Sequence, residues 1–227
     1  MDNLHITDKE RDAVYKTIFS RRDVRNEFIQ KTIPDEVLMR VLTAAHHAPS
    51  VGFMQPWDFI VVGDREVKGE IKQAFELARM NSEREFEVER IEQYKALKLE
   101  GITEAPIGIC VTCDKTRNGP AVIGRSTNPQ MDVFSSVCAI QNLWLAARAE
   151  NVGMGWVSII ENEDLQAILG IPKHIVPVAY LCLGYVSNFY DEPDLKRAGW
   201  LSREHLDELI HYDQWGSNAY RNTPEQP

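Results

Sequence analysis

Residues 132–160 read DVFSSVCAIQNLWLAARAENVGMGWVSII. Val133, Val137, Ile140, Trp144 and Ala147 mark one face of a helix over Asp132–Glu150, and Phe134, Cys138 and Leu145 widen that face. A helix apolar over so much of its surface is buried on several sides, in a large core or against a second subunit. Gly153-Met-Gly-Trp-Val-Ser158 then leads into a strand over Met154–Ile160. The glycine spacing is part of a dinucleotide fingerprint, but Ser158 stands where a third glycine belongs. A strand follows where that fingerprint needs a helix, so the Rossmann reading fails.

Working outward, a short helix over Glu163–Leu169 and a strand over Val176–Leu183 lie downstream. Upstream are a strand over Ile107–Cys113 and a Gly/Pro/Asn-rich loop over Asn118–Pro129. Earlier still, Trp57–Val62 reads as a buried strand closed by Gly63-Asp64. Pro34–His47 reads as an amphipathic helix with Pro34 at its first position and a stripe of Val37, Leu38, Val41, Leu42 and Ala45. Residues 7–20 form a helix opened by a capping box, Thr7-Asp-Lys-Glu10. The end, Ser187–Pro227, reads as a loop, a helix near Arg203–Ile210 and a polar tail. Strands alternating with helices predict an α/β or α+β sandwich, and no linker splits the chain.

Residues 65–100 hold almost no helix breakers and are densely charged, above all Glu83–Arg90. Met80, Phe86, Ile91, Tyr94 and Leu97 only partly fit a helical stripe. Two readings stand: a solvated helix pair, or a mobile cover over a site.

The chain has 227 residues, with 34 acidic and 25 basic side chains and a formal charge of −9. That balance excludes broad nucleic-acid binding, which needs a basic footprint. The longest near-apolar run, Val176–Val186, is too short to cross a bilayer and contains Pro177. The opening Met1-Asp2-Asn3-Leu4-His5 has no charged head followed by an apolar core, so a cytoplasmic location is expected. Cys110 and Cys113 lie in a strand, where residues three apart face opposite sides. Without a second such pair or a nearby histidine they make no zinc set, and buried reduced thiols and no metal are expected. The neighbouring His46 and His47 project in different directions from a helix and read as structural.

Two further runs carry polar chemistry. Arg21-Arg22-Asp23-Val24-Arg25 places guanidiniums at a helix exit, where they can clamp a phosphate with bidentate donors. The same run can be a solvated basic turn with an internal Arg–Asp pair. In Ala48-Pro-Ser-Val-Gly-Phe-Met-Gln-Pro-Trp57, Ser50 and Gln55 supply hydrogen bonds and the prolines fix the path. The run suits a planar, polar-edged ligand, or a plain connection.

Taken in order, Ser20–Arg25, Pro49-Ser50…Gln55-Pro56-Trp57, the Gly153-Met-Gly-Trp strand entry, and Arg197 after Gly184-Tyr185 resemble the FMN-dependent nitroreductase superfamily. The resemblance runs over most of residues 14–200. It implies an α+β sandwich with a central mixed or antiparallel sheet, assembled as an intertwined homodimer around the 132–150 helix. FMN would lie in the interface. Arg21, Arg22, Arg25 and Arg197 would hold its phosphate and ribityl chain. Val24, Pro49, Ser50, Gln55 and Lys98 would line it, and Gly155 and Ser158 would lie by the reactive edge of the ring.

Departures from that pattern point to one branch. Asp23 stands where a small polar residue is usual, and Val51 and Phe53 replace Ser and Asn. With Ser158 and the charged insertion at 65–100, they resemble the flavin-destructase branch. There reduced FMN and O2 are substrates, and the products are 5,6-dimethylbenzimidazole, the lower ligand of vitamin B12, and erythrose 4-phosphate. The resemblance implies Asp23 as acid/base and Ser158 as donor to the N5 and O4 edge. Their plainer readings are a carboxylate neutralised by Arg22 or Arg25 and a strand serine bonded to backbone. The insertion would be a lid, and a separate flavin reductase would supply FMNH2. The alternatives are an NAD(P)H-dependent nitroreductase or flavin reductase, a deiodinase-like reductase, and a flavin carrier without turnover.

Overall fold

Each strand carries apolar residues at both parities, so the sheet they form has to be covered on both faces. In the computed structural model, which describes residues 4–217, that is the arrangement. The opening Met1–Asn3 and the last part of the polar tail, 218–227, lie outside the described residues. The strands are β1 (Trp57–Val62), β2 (Ile107–Asp114), β3 (Val152–Val157) and β4 (Ile175–Tyr185), in the order β1-β2-β4-β3 with every pair antiparallel.

The register sorts the side chains. Ile109 lies opposite Leu181 and Cys110 opposite Tyr180. Ile109, Val111, Ala179, Leu181 and Leu183 face one core with α2 (Asp35–His46) and α5 (Met131–Ala149). Cys110, Tyr180 and Cys182 face the other, with α3 (Arg65–Ser82) and α6 (Asn162–Leu169). Cys110 and Cys113 are both buried and free, at opposite parities as expected. The β2–β4 register shifts between Val111 and Thr112, opposite Pro177, which has no N–H to give to the ladder.

Both N-terminal helices begin near their predicted starts. Thr7 and Glu10 close the capping box on α1 (Asp8–Ser20). Helix α2 starts at Asp35, one residue later than predicted. Pro34 stays outside it, and its carbonyl accepts from the amides of Val37 and Leu38.

The charged stretch at 65–100 divides. Lys68, Ile71, Phe75 and Ala78 of α3 are buried at helical spacing, so α3 is a core helix and no part of a solvated pair or cover. Only the shorter piece beyond it, a 3-10 turn and α4 (Val88–Ala96), is lightly held, with Tyr94 the buried residue of α4.

Chain contacts break after Asp191, and the described residues from Glu192 to Ser217 belong to a second compact unit where no division was expected. It contains α7 (Asp194–Arg197) and a 3-10 turn at Leu206–Leu209. The helix expected near 203–210 is only that turn. Its Leu206 and Leu209 are exposed, and a helix this short needs a buried face to persist in water.

Candidate functional site

Helix α1 ends at Arg21, which turns to extended backbone, and the next residues run along the outer edge of β3. Asp23 bridges Met154 in parallel, and the Val24 amide donates to the Met154 carbonyl at 3.0 Å. The approach is tight. A Cβ on Gly155 would lie 2.1 Å from the Val24 carbonyl oxygen, so Gly155 is what allows the basic run to lie on the strand. Trp144 of α5 props the same run, donating from Nε1 to the Arg22 carbonyl at 3.3 Å and stacking under Arg21 at 4.5 Å.

Asp23 is fixed on both oxygens. Oδ1 accepts from the Trp156 amide at 2.9 Å, and Oδ2 accepts from Arg25 Nη2 at 2.6 Å. The internal Arg–Asp pair therefore forms, with Arg25 as partner. Arg25 also donates from Nη1 to the Lys98 carbonyl at 3.1 Å. Arg22 donates to the carbonyls of Phe19, Arg21 and Asp191. Yet the Nε atoms of both Arg22 and Arg25 are buried with no hydrogen-bond partner. Buried donors left unsatisfied call for acceptor oxygens, and the phosphate and ribityl groups of FMN supply such oxygens. On that observation the basic run fits the nucleotide.

Two neighbours of this run were not singled out from sequence. Arg148 on α5 donates from Nε to the Ser20 carbonyl at 3.2 Å and lies 4.0 Å over the Phe189 ring. Burial and the charge of Arg22 hold its pKa below the ordinary arginine value. Helix periodicity places it one turn beyond Trp144, a signal that could have found it. Glu100 is the second, buried behind Lys98. A carboxylate inside a charged run leaves no pattern that reveals it.

The loop at 49–57 is a separate construction. Gly52, Phe53 and Gln55 all have positive φ, and Ser50 Oγ accepts from the Gln55 amide at 3.1 Å. Non-glycine residues held there store about 1–3 kcal/mol of strain each, a common mark of functional loops. The Val51 amide donates to Ser135 Oγ at 3.2 Å, and Arg117 donates to the Gln55 carbonyl at 3.0 Å. Pro49 is exposed and Ser50 half-buried. The loop touches α5 at Ser135 and the basic run touches it at Trp144, about 13 Å apart along the axis at about 1.5 Å per residue.

Of the remaining candidates, Ser158 lies just past the end of β3 and is exposed, two residues beyond the amide that holds Asp23. It opens on a small cavity of about 160 Å³ with Trp156 and Tyr180. The ammonium of Lys98 pairs with Glu100 and Glu104, so only its carbonyl meets the site. Arg197 lies on α7 in the second unit, where Nη1 pairs with Asp194 at 3.0 Å. His46 and His47 are structural, His46 accepting from Trp57 Nε1 at 3.2 Å and His47 contacting the Thr43 carbonyl at 2.8 Å. Among the described residues no cluster of His, Cys, Asp and Glu could hold a metal, and no helix is long and apolar enough to cross a membrane.

The chain is 40% identical over 183 residues to a 5,6-dimethylbenzimidazole synthase of Rhodospirillum rubrum, covering 81% of this chain and 86% of that one. It is 36% identical over 190 residues to the protein of that name from Rhodobacter capsulatus, covering 84% and 91%. A BluB-like flavoprotein from Clostridium difficile shares its fold, with a TM-score of 0.67 at 20% identity over 88% of this chain and 99% of that one. The Nitroreductase family profile matches residues 18–185, from the end of α1 through the last residue of β4 and across the basic run, the 49–57 loop and β3. With the site's frame inside that match, the chain belongs to the nitroreductase family.

Proposed function

We propose that this protein is a 5,6-dimethylbenzimidazole synthase, converting FMNH2 and O2 to 5,6-dimethylbenzimidazole and erythrose 4-phosphate. The observation that carries the reading is the 40% identity to a curated synthase across 81% of the chain. The buried, unpartnered arginine nitrogens beside Asp23 agree with it.

Bound FMNH2 supplies the electrons for O2 and the ring carbons of the benzimidazole. Everything else falls to the chain. Arg21, Arg22 and Arg25 hold the phosphate and ribityl end. Pro49, Ser50 and Gln55 line the ring, whereas Val24 is buried in the core and its carbonyl covers Gly155, so these two shape the run instead of facing the ligand. Asp23, fixed by Arg25 and the Trp156 amide, holds or moves a proton at its carboxylate. Ser158 donates a hydrogen bond from its hydroxyl, and the 83–96 segment excludes water.

The active form is a homodimer. Phe134, Val137 and Cys138 on α5 and Val14, Tyr15, Ile18 and Phe19 on α1 leave a broad apolar surface exposed, and α1 buries no residue. The 49–57 loop lines the flavin from the same chain or from the second copy. A flavin reductase supplies FMNH2 from solution.

The test is aerobic incubation of the protein with excess FMNH2 made by a separate reductase, with total flavin and dimethylbenzimidazole followed by chromatography. Loss of flavin matched by benzimidazole is the expected result. Full recovery of FMN without benzimidazole would replace the proposal with a flavin-recycling reductase.

A further inference from the structure

Glu100 is the most deeply buried carboxylate on this side of the sheet, its side chain 1% exposed. It sits in the link between α4 and β2. Oε1 accepts from Lys72 Nζ of α3 at 2.7 Å and also from Lys98 Nζ, and Oε2 accepts from the Ile102 amide at 2.8 Å. Lys72 also pairs with Glu76 at 2.7 Å, and Lys98 with Glu104 at 2.6 Å. Burial works against the Glu100 carboxylate, but the two lysines and the amide outweigh it and hold its pKa below the ordinary value.

A buried charge this well compensated fixes its partners in one geometry, because losing any of them leaves a charge unpaired in a low-dielectric setting. Here the partners surround the site. The Lys98 carbonyl accepts from Arg25 Nη1, and Arg25 Nη2 holds Asp23. On the other side of Glu100, a Cβ on Gly101 would lie 2.7 Å from the Arg25 carbonyl oxygen. The 98–102 turn is thus the floor under Arg25, and Glu100 ties that floor to α3. The same turn follows directly on α4, since Leu97 caps that helix and Arg79 of α3 donates to its carbonyl at 2.9 Å.

We infer that Glu100 is a positioning residue: through Lys98 and the 98–102 turn it sets Arg25, through Arg25 it sets Asp23, and it couples the seating of α4 to that pair. Lys98 then serves through its carbonyl and its tie to Glu100, and not as a direct flavin ligand. The inference rests on the functional reading above only where it concerns turnover; the positioning of Asp23 is a property of the chain itself.

The test uses the full-length chain with Glu100→Gln, which keeps the shape and the acceptor for the Ile102 amide but removes the charge. Amide hydrogen exchange is read at Trp156, whose N–H is held by Asp23, and at Ile140 in the opposite core as control. The expected result is exchange about tenfold faster at Trp156 with Ile140 unchanged. Benzimidazole formation at saturating FMNH2 should fall about tenfold while FMN affinity moves by less than about threefold, a loss in kcat without loss of binding. Unchanged exchange at Trp156, or an equal rise at Ile140, overturns the inference. If Glu100→Gln does not fold, Lys98→Met carries the same test, because Lys72 still compensates Glu100. A wild-type chain that makes no benzimidazole would end the functional reading, and the exchange data would still decide the positioning.

Discussion

The two faces of the sheet are built in different ways. The face toward α2 and α5 is closed mainly by apolar packing, with Ile140, Leu143, Ala147 and Leu181 fully buried, and its buried ion pair, Arg125 with Asp132, lies at the first turn of α5. The face toward α3 and α6 has apolar residues of the same kind, Ile71 and Phe75, but also buries Lys68, Glu100 and Arg25. The difference tracks what lies outside each layer. Beyond α5 is more apolar surface, suited to another copy of the chain. Around α3 are the ion pairs that hold the basic run. Apolar packing tolerates a greasy exterior that another surface can cover, whereas ion pairs fix individual groups, which a site needs.

The largest effect expected is the same on both faces, because both rest on full burial. Leu143→Ala and Phe75→Ala should cost about 2–5 and 3–5 kcal/mol, read as shifts in urea midpoint at constant slope. A cost for Phe75→Ala below about 1 kcal/mol would show that α3 is a loose cover and that the contrast between faces is false.

Next is Asp23→Asn, which should lower benzimidazole formation by about a hundredfold or more with FMN still bound, as loss of a proton-transfer group does. Native-rate turnover in that variant would reduce Asp23 to a partner for Arg25. On the opposite layer, Val137→Asp should weaken self-association at least about tenfold by placing a charge in an apolar contact, read by sedimentation. A wild-type chain that sediments as a monomer would break the comparison from that side.

Most of this architecture could be read from the sequence, and the exceptions have physical causes. Helix α5 was legible because its apolar residues recur at helical spacing, and β1 because its run is short and bounded by Gly63-Asp64. The Arg21–Arg25 run was legible as chemistry, since arginines cluster there by type. Helix α3 does not read as a core helix in the sequence because its stripe of Lys68, Ile71, Phe75 and Ala78 is narrow and dispersed among charges. A buried lysine that donates to the Ala105 carbonyl looks like a surface residue in sequence. The Asp23–Arg25 pair was an open alternative, since residues two apart meet only when the backbone is extended, and that follows from docking on β3. Glu100 was invisible for a related reason. Its burial depends on Lys72, far away in the chain, and no local pattern encodes that meeting.

The smallest effect is also the one that isolates the ionic face. Burial raises the Glu100 pKa, but Lys72, Lys98 and the Ile102 amide lower it further, so the folded value lies below the reference of 4.5. A carboxylate depressed in the folded state adds stability above its unfolded pKa and loses it as pH falls through the folded value. Burial lowers Lys72 and Lys98, but their carboxylate partners outweigh it and raise both above 10.5, so their contribution is complete below 10.5 and fades as pH rises beyond the folded values. The network therefore stabilises the fold between those limits. Urea midpoints taken from neutral pH down through 4.5 should fall more steeply for the wild type than for Glu100→Gln, which has no charge there to lose. Other carboxylates titrate in both proteins, so only the difference in slope reports Glu100. Parallel slopes would mean that Glu100 does not lose stabilising charge on acidification, and the ionic face would then owe its order to packing, like the other.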